Sequence, residues 1–291
     1  MSNDTGASGE ELVAWVRAAA AGDREAAEEV LRAVQDRVYR LALRMLGHPQ
    51  DAEDATQEIL VIVLTHLGTF RGESAFSTWV WRIAARRLVE VKRGRREADS
   101  FEDLEQRLRG FLQEPSAPGG EADPESAVFA QEVRLRCTQA MLLGLDRPSR
   151  IAYLLGDIFN LPGEEAAAVL EIDAATFRKR LGRARQRLYD FMSQQCGVFD
   201  PANPCRCERV AAGAVARGAV RGESLLFANH PVCASAPKPL SPDVSRAARE
   251  VKDLMRVAQV IREKAEYAAP ETLVASLREL LLSQRLELLR T

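Results

Sequence analysis

The sequence predicts an all-α protein: two helical domains joined by a flexible acidic linker, followed by a C-terminal extension of loop and helical hairpin. Three observations carry this. Apolar residues recur at three- and four-residue spacing almost everywhere from Glu11 to Gly94, and again from Ser126 to Met192. Aromatics make up only 6% of the chain while Ala and Leu are frequent, which favours helix over sheet. No strand-like alternation competes, and 291 residues fit two domains of ordinary size.

The elements follow in order. A first helix spans about Glu11 to Ala21 and stops at Gly22-Asp23. A second runs from Arg24 to Leu46, with Val30, Val34, Val38, Leu41 and Met45 as its apolar stripe. Gly47-His48-Pro49 breaks the chain. Asp51 reads as the next N-cap, with Glu53 and Asp54 in the first turn, where the helix dipole favours carboxylates. That third helix reaches about Leu67, and its run Ile59 to Leu64, apolar on every side, predicts a place at the centre of a bundle. Gly68 to Ser74 is a loop, and a fourth helix covers about Ala75 to Lys92. Residues 97–125 carry nine acids against two arginines, with prolines and glycines near the end, and read as the flexible linker. Helices resume at about 126–143, 146–160, 164–170 and 174–192. Residues 193–240 hold several prolines and most of the cysteines and read as loop. Two amphipathic helices close the chain, at about 244–267 and 270–289. The resulting domains are 10–96, the linker 97–125, 126–192, the cysteine-bearing segment 193–240 and the helical extension 241–291.

The composition excludes several functions. Forty basic and 42 acidic side chains leave a net charge of −2, so any polyanion footprint must be local. The polar, acidic start MSNDTGASGEE has no basic or apolar signal-peptide region, and the longest apolar run is six residues, so a soluble cytoplasmic protein without membrane insertion is expected. His48, His66 and His230 are dispersed. With no nucleophile–base grouping and no phosphate-binding glycine loop, enzymatic activity is not expected.

The charge is indeed local. Residues 71–96 hold Arg71, Arg82, Arg86, Arg87, Lys92, Arg93, Arg95 and Arg96 against Glu73 and Glu90. Residues 178–187 hold six basic side chains and no acid, a strong polyanion signal because each neutralised phosphate releases counterions. A solvated helix face is the plain alternative. Glu164 to Arg185 has the layout of a helix-turn-helix: small residues Ala166 to Ala168 for a close crossing, a short turn, Asp173 as cap, and Ala167, Leu170, Ile172, Phe177 and Leu181 as core. Thr176, Arg178, Lys179 and Arg180, followed by Arg183 and Arg185, then face a major groove. Glu171 occupies the turn position that often carries Gly. Upstream, Phe76, Trp79 and Ile83 share one helix face and suggest packing. Trp81 lies off that face beside Arg82, suited to stacking on an unpaired base. The polar loop Arg71, Gly72, Glu73, Ser74 suits capture of a flipped base.

Taken together, Tyr39 to Ala42, Asp51 to Glu58 and Ser74 to Arg87 are similar to region 2 of bacterial RNA polymerase sigma factors. Leu145 to Leu188, with Ala175 to Leu181 and Arg183-Ala184-Arg185, resembles region 4. The two regions without others match the extracytoplasmic-function (ECF) group over about residues 10–192. The resemblance implies a promoter-specificity subunit. Asp51, Glu53, Asp54, Gln57 and Glu58 would lie near a coiled coil of the largest polymerase subunit, and region 4 near the polymerase flap. Loop 71–74 would hold a base flipped from the −10 element. Trp81, Arg82, Arg86, Arg87, Lys92 and Arg93 would grip the melted strand and its upstream duplex. The 174–187 helix would read the −35 element, and an anti-sigma factor is a candidate partner. A polymerase-independent helix-turn-helix regulator and a metal- or redox-responsive regulator are the competing readings.

The extension lies outside that layout. Cys196, Cys205, Cys207, His230 and Cys233 supply four thiols and an imidazole. They are compatible with Zn or Cu(I), with a thiol redox switch, or with incidental packing, and no cofactor is required by the rest of the chain. Cys137, on a helix, reads as a small buried apolar residue.

Overall fold

The computed structural model describes residues 9–90, 100–114, 124–222, 225–227, 257–261 and 268–282. Their main α-helices are α1 (Gly9–Ala20), α2 (Arg24–Leu46), α3 (Pro49–Thr65), α4 (Phe76–Glu90), α5 (Phe101–Gln113), α6 (Pro124–Leu143), α7 (Arg147–Tyr153), α8 (Gly163–Val169), α9 (Ala174–Gln195), α10 (Cys207–Ala216) and α11 (Glu271–Leu282). The described residues contain no strand; the single ladder contact pairs Cys196 with Cys205. The chain divides into two compact units, residues 1–92 with 167–172 and 268–291, and residues 93–166 with 173–267.

In the first unit α2 packs on α1, α3 and α4. Its predicted stripe is the core: Val30, Val38, Leu41 and Met45 are fully buried. Asp23 caps α2 through the Ala26 N–H (3.1 Å), and Gly47 ends it in the left-handed conformation (φ 73°), which a side chain would disfavour. The cap of α3 differs from expectation. His48 holds the N-cap position, without a side-chain bond, Pro49 sits in the first turn, and Asp51 is a first-turn acid rather than the cap. Ile59, Leu60, Val63 and Leu64 are buried but Val61 and Ile62 only partly, so α3 keeps one open face. α11 packs against α3, with Leu273 and Leu277 buried. It is tied to α2 by the Ala269 N–H to Asp36 Oδ1 (2.8 Å) and by Arg278 with Glu28 (3.4 Å).

In the second unit two segments expected to be loop are helical. The linker contains α5, opened by a reciprocal capping box: Ser100 Oγ accepts the Asp103 N–H (3.1 Å), and Asp103 accepts the Ser100 N–H (2.9 Å). Phe101, Leu104, Leu108 and Phe111 line one face. Phe101 meets Phe191 (5.4 Å between rings), and Leu104 and Leu108 are buried. The segment beyond α9 contains α10, which packs on α5 and α6. Gly213 makes that contact: a Cβ there would stand 2.0 Å from the Phe111 carbonyl oxygen. Buried Arg150 donates to the Leu143 and Leu145 carbonyls (2.8 and 2.9 Å), closing the end of α6. α7 is capped by Asp146 and runs into a single π-helical turn, Leu154–Ile158. The fully buried Glu132 carboxylate on α6 accepts from Arg136 (2.6 Å) and from the Leu226 and Phe227 N–H groups (2.8 and 2.9 Å), pinning the chain beyond α10. The expected helix at 244–267 falls mostly outside the described residues; 257–261 is helical.

Candidate nucleic-acid interface

α9 carries the densest positive charge. Asp173 caps it as expected, accepting the Thr176 N–H (2.8 Å) and the Thr176 hydroxyl (2.6 Å). Those two bonds hold the Asp173 carboxyl below the usual carboxylate range. The turn before it places Glu171 at φ +53°, the conformation for which this motif often uses glycine. Phe177, Leu181, Ala184 and Leu188 are buried at helical spacing, and Phe177 and Leu181 lie on the π-turn at Gly156. The opposite face leaves Arg178, Lys179, Arg183 and Arg187 exposed and Arg180 half-exposed. Arg185 turns inward. Its guanidinium grips Asp157 of the π-turn through two hydrogen bonds (2.8 and 2.6 Å), which raises its already high pKa. Thr176 is spent on the cap, so neither Thr176 nor Arg185 presents its polar group as freely as the sequence suggests. Leu170 and Ile172, expected in the core, are only half-buried.

The loop before α4 presents Arg71, Gly72 and Glu73 to solvent, with Ser74 half-buried. Gly72 adopts φ +73° with no atom near its missing Cβ, an open turn. The aromatic assignment on α4 is reversed. Trp81 is buried (7% exposed) in the stripe Trp81, Ala84, Ala85, Leu88. Trp79 and Ile83 are half-exposed instead. Trp79 stands with Phe70 and Phe76 in an aromatic cluster with ring centres 5.3–5.7 Å apart, at the foot of the loop. Half-exposed Trp79, not Trp81, is the tryptophan beside the 71–74 loop. The signal was its place three residues from Phe76. Arg82 is half-buried; Arg86 is exposed and pairs with Glu90 (3.5 Å). Lys92 and Arg93 lie outside the described residues.

On α3, Asp51, Asp54 and Glu58 are exposed, while Glu53 and Gln57 are half-buried. Burial and the neighbouring Asp54 push the Glu53 carboxyl up, with His48 opposing. Glu58 accepts from Arg87 of α4 (2.9 Å), so two candidate residues of different roles are bonded to each other.

The cysteines assemble differently from the sequence expectation. Cys196, Cys205 and Cys207 line one cavity, and the fourth thiol in its wall is Cys137 of α6. Burial pushes the Cys137 thiol well up, and Cys196, Cys207 and Cys205 push it further. Burial, Cys207 and Cys196 push Cys205 to about 12. Burial also raises Cys207, while Arg134 opposes by charge and hydrogen bond. His230 and Cys233 lie outside the described residues. Among the described residues, no helix is long and apolar enough to cross a membrane.

Sigma-70 region 2 matches residues 30–98, and Sigma-70, region 4 matches residues 135–188. The chain is 31% identical over 169 residues to RNA polymerase sigma-H factor of Pseudomonas aeruginosa, covering 57% of this chain and 86% of that protein. It is 30% identical over 173 residues to ECF RNA polymerase sigma-E factor of Escherichia coli K12, covering 57% and 86%. Among solved structures, one described as CnrH in complex with the cytosolic domain of CnrY matches at 24% identity with a TM-score of 0.46, over 63% of this chain and 97% of that one. Two helical units carrying region 2 and region 4 define a promoter-specificity factor that binds RNA polymerase. The chain belongs to the ECF sigma-factor family.

Proposed function

We propose that this chain directs initiation through three surfaces of its own. The α3 residues Asp51, Glu53, Asp54, Gln57 and Glu58 seat region 2 on the polymerase core. Loop 71–74, with Trp79 beside it, receives a base flipped from the −10 element, and the arginines of α4 hold the adjoining backbone. α9 reads the −35 element with Arg178, Lys179, Arg180 and Arg183. Opening is then driven by binding: a captured base and phosphate contacts offset unstacking of about a few kcal/mol per step. The protein does this in the cytoplasm, without covalent chemistry of its own. α11, packed on the helix proposed for the polymerase, adjusts access to it, and an anti-sigma factor competes for the same surfaces.

The observation that carries this reading is the two-faced α9, with Phe177, Leu181, Ala184 and Leu188 buried opposite Arg178, Lys179 and Arg183. Transcription with purified core polymerase on promoter fragments tests it. The wild-type chain initiates. A variant with Arg178, Lys179 and Arg183 changed to Ala binds core equally well, yet loses initiation where a −35 element is needed. A chain that occupies promoters without core polymerase supports the polymerase-independent regulator instead.

A further inference from the structure

Helix α5 of the acidic linker is folded onto the second unit, and the seat it occupies is built mainly by α10 of the extension. Leu104 and Leu108 are buried there, and Gly213 admits the Phe111 backbone at a distance that no side chain would allow. The rim of the contact is polar. Arg217 Nε donates to Glu114 Oε1 (2.5 Å), and its guanidinium lies 5.9 Å from the centre of the Phe111 ring. Arg209 Nη2 donates to the Leu112 carbonyl (3.4 Å). Toward the start of α5, Phe101 meets Phe191, and Gln195 Nε2 donates to Glu105 Oε1 (2.8 Å), so α9 holds that end. α10 is itself fastened to α6, where Arg136 Nη1 donates to the Ala219 carbonyl just past the end of α10 (3.0 Å). The Arg217 and Glu114 side chains keep 46% and 28% of their surface in solvent, so the rim can part without stranding a buried charge.

This seat decides how much chain is left between the two promoter-reading regions. With α5 docked, nine residues, 91–99, separate Glu90 at the end of α4 from Ser100. They span at most about 35 Å. With α5 undocked, the whole stretch from Glu90 to Pro124 is available, and it reaches roughly 90 Å even if α5 stays helical. The −10 and −35 elements stand about 25 base pairs apart, roughly 85 Å along B-DNA. α4 adds at most about 22 Å between Phe76 and Glu90, and α9 about 20 Å between Phe191 and Arg178. With α5 docked, these lengths meet the requirement only when every part lies on one straight line. With α5 released there is slack. We propose that α10 is a latch that stores the linker helix on region 4, and that α5 must leave it before both promoter elements are engaged together. The latch rests on the promoter reading above. Its role differs from that of α11: it limits the span between the two regions, whereas α11 covers α3.

Hydrogen exchange of the α5 amides in the full-length chain reads the latch directly. They should be protected in the chain alone. They should exchange at least about tenfold faster once the chain is bound, with core polymerase, to a promoter carrying both elements. Arg217→Glu sets a second carboxylate beside Glu114. It should loosen α5 in the chain alone and speed open-complex formation by about fivefold, because less of the population is latched. Adding Glu114→Arg restores an opposite-charge pair and the wild-type net charge, so it should return both readouts to wild type. α5 amides that stay as protected in the promoter complex as in the chain alone overturn the latch, and initiation in those same reactions shows that the promoter reading itself stands. An Arg217→Glu chain whose α5 exchanges no faster than wild type overturns the latch without reference to DNA. A wild-type chain that never initiates sinks the promoter reading, and the purpose assigned to the latch falls with it.

Discussion

At the scale of single residues, the second unit depends on polar groups placed where the backbone runs out of partners. Arg150 is buried with its guanidinium on two carbonyls at the end of α6. Arg150→Ala removes both charge-assisted bonds and leaves the carbonyls buried, so a loss of about 2–4 kcal/mol is expected in urea unfolding. Glu171 runs the other way. A non-glycine residue at φ +53° costs roughly 1–2 kcal/mol. Glu171→Gly should therefore stabilise by about 0.5–1 kcal/mol after the flexibility of glycine in the unfolded chain is set against the relief. Asp173 adds a pH dependence. Its folded carboxyl titrates below its unfolded value because Thr176 bonds the ionised form. Its contribution is thus fully present above the unfolded carboxylate range and is lost as pH falls through the lower folded pKa. The difference in Tm between wild type and Asp173→Ala should be constant near neutrality and close in acid.

At the scale of elements, what was legible in the sequence depended on how each helix is marked. α2 and α9 combine a stripe of large apolar residues with an aspartate cap, and both appear where periodicity puts them. α5 carried a signal too, in Phe101, Leu104, Leu108 and Phe111 behind Ser100 and Asp103, but the surrounding acids and the prolines after Gln113 outweigh it in composition. α10 is harder to see. Its sequence CERVAAGAVA has no large apolar side chains, and the helix is seated backbone to backbone against α5 at Gly213. Trp81 is buried and Trp79 half-exposed, the reverse of expectation, because the buried face of α4 runs through Trp81, Ala84, Ala85 and Leu88, and small alanines mark that face only weakly in a hydrophobicity pattern. Cys137 and the cysteines from Cys196 to Cys207 are 59 residues or more apart in sequence, and only tertiary packing brings them together. The close seating of α10 is itself testable. Gly213→Ala forces a methyl to within 2.0 Å of the Phe111 carbonyl unless the helices part. A cost of about 1–3 kcal/mol is expected. Proteolysis should then open the chain beyond α9 while leaving the first unit intact.

For the whole molecule, the aligned relatives cover about 57% of the chain, and described helices beyond that span pack within the units. α11 illustrates the consequence. Its buried Leu273 and Leu277, the Ala269 N–H on Asp36 and the Arg278–Glu28 pair hold it to the α2–α3 pair of its own unit. The ion pair is exposed and contributes little. The two leucines supply most of the attraction, at roughly 1.5–3 kcal/mol each before the cost of ordering the segment is subtracted. The surplus is small enough for a larger partner to displace α11 from α3. Removing residues 268–291 should therefore raise the affinity of the chain for core polymerase by about tenfold, the equivalent of roughly 1.4 kcal/mol of relieved competition. Titration of labelled full-length and truncated chains against core enzyme measures the shift. Leu273→Ala with Leu277→Ala in the full-length chain should reproduce most of it. A truncation that instead weakens core binding and lowers the Tm of the first unit would make α11 a brace for region 2 rather than a cover over it.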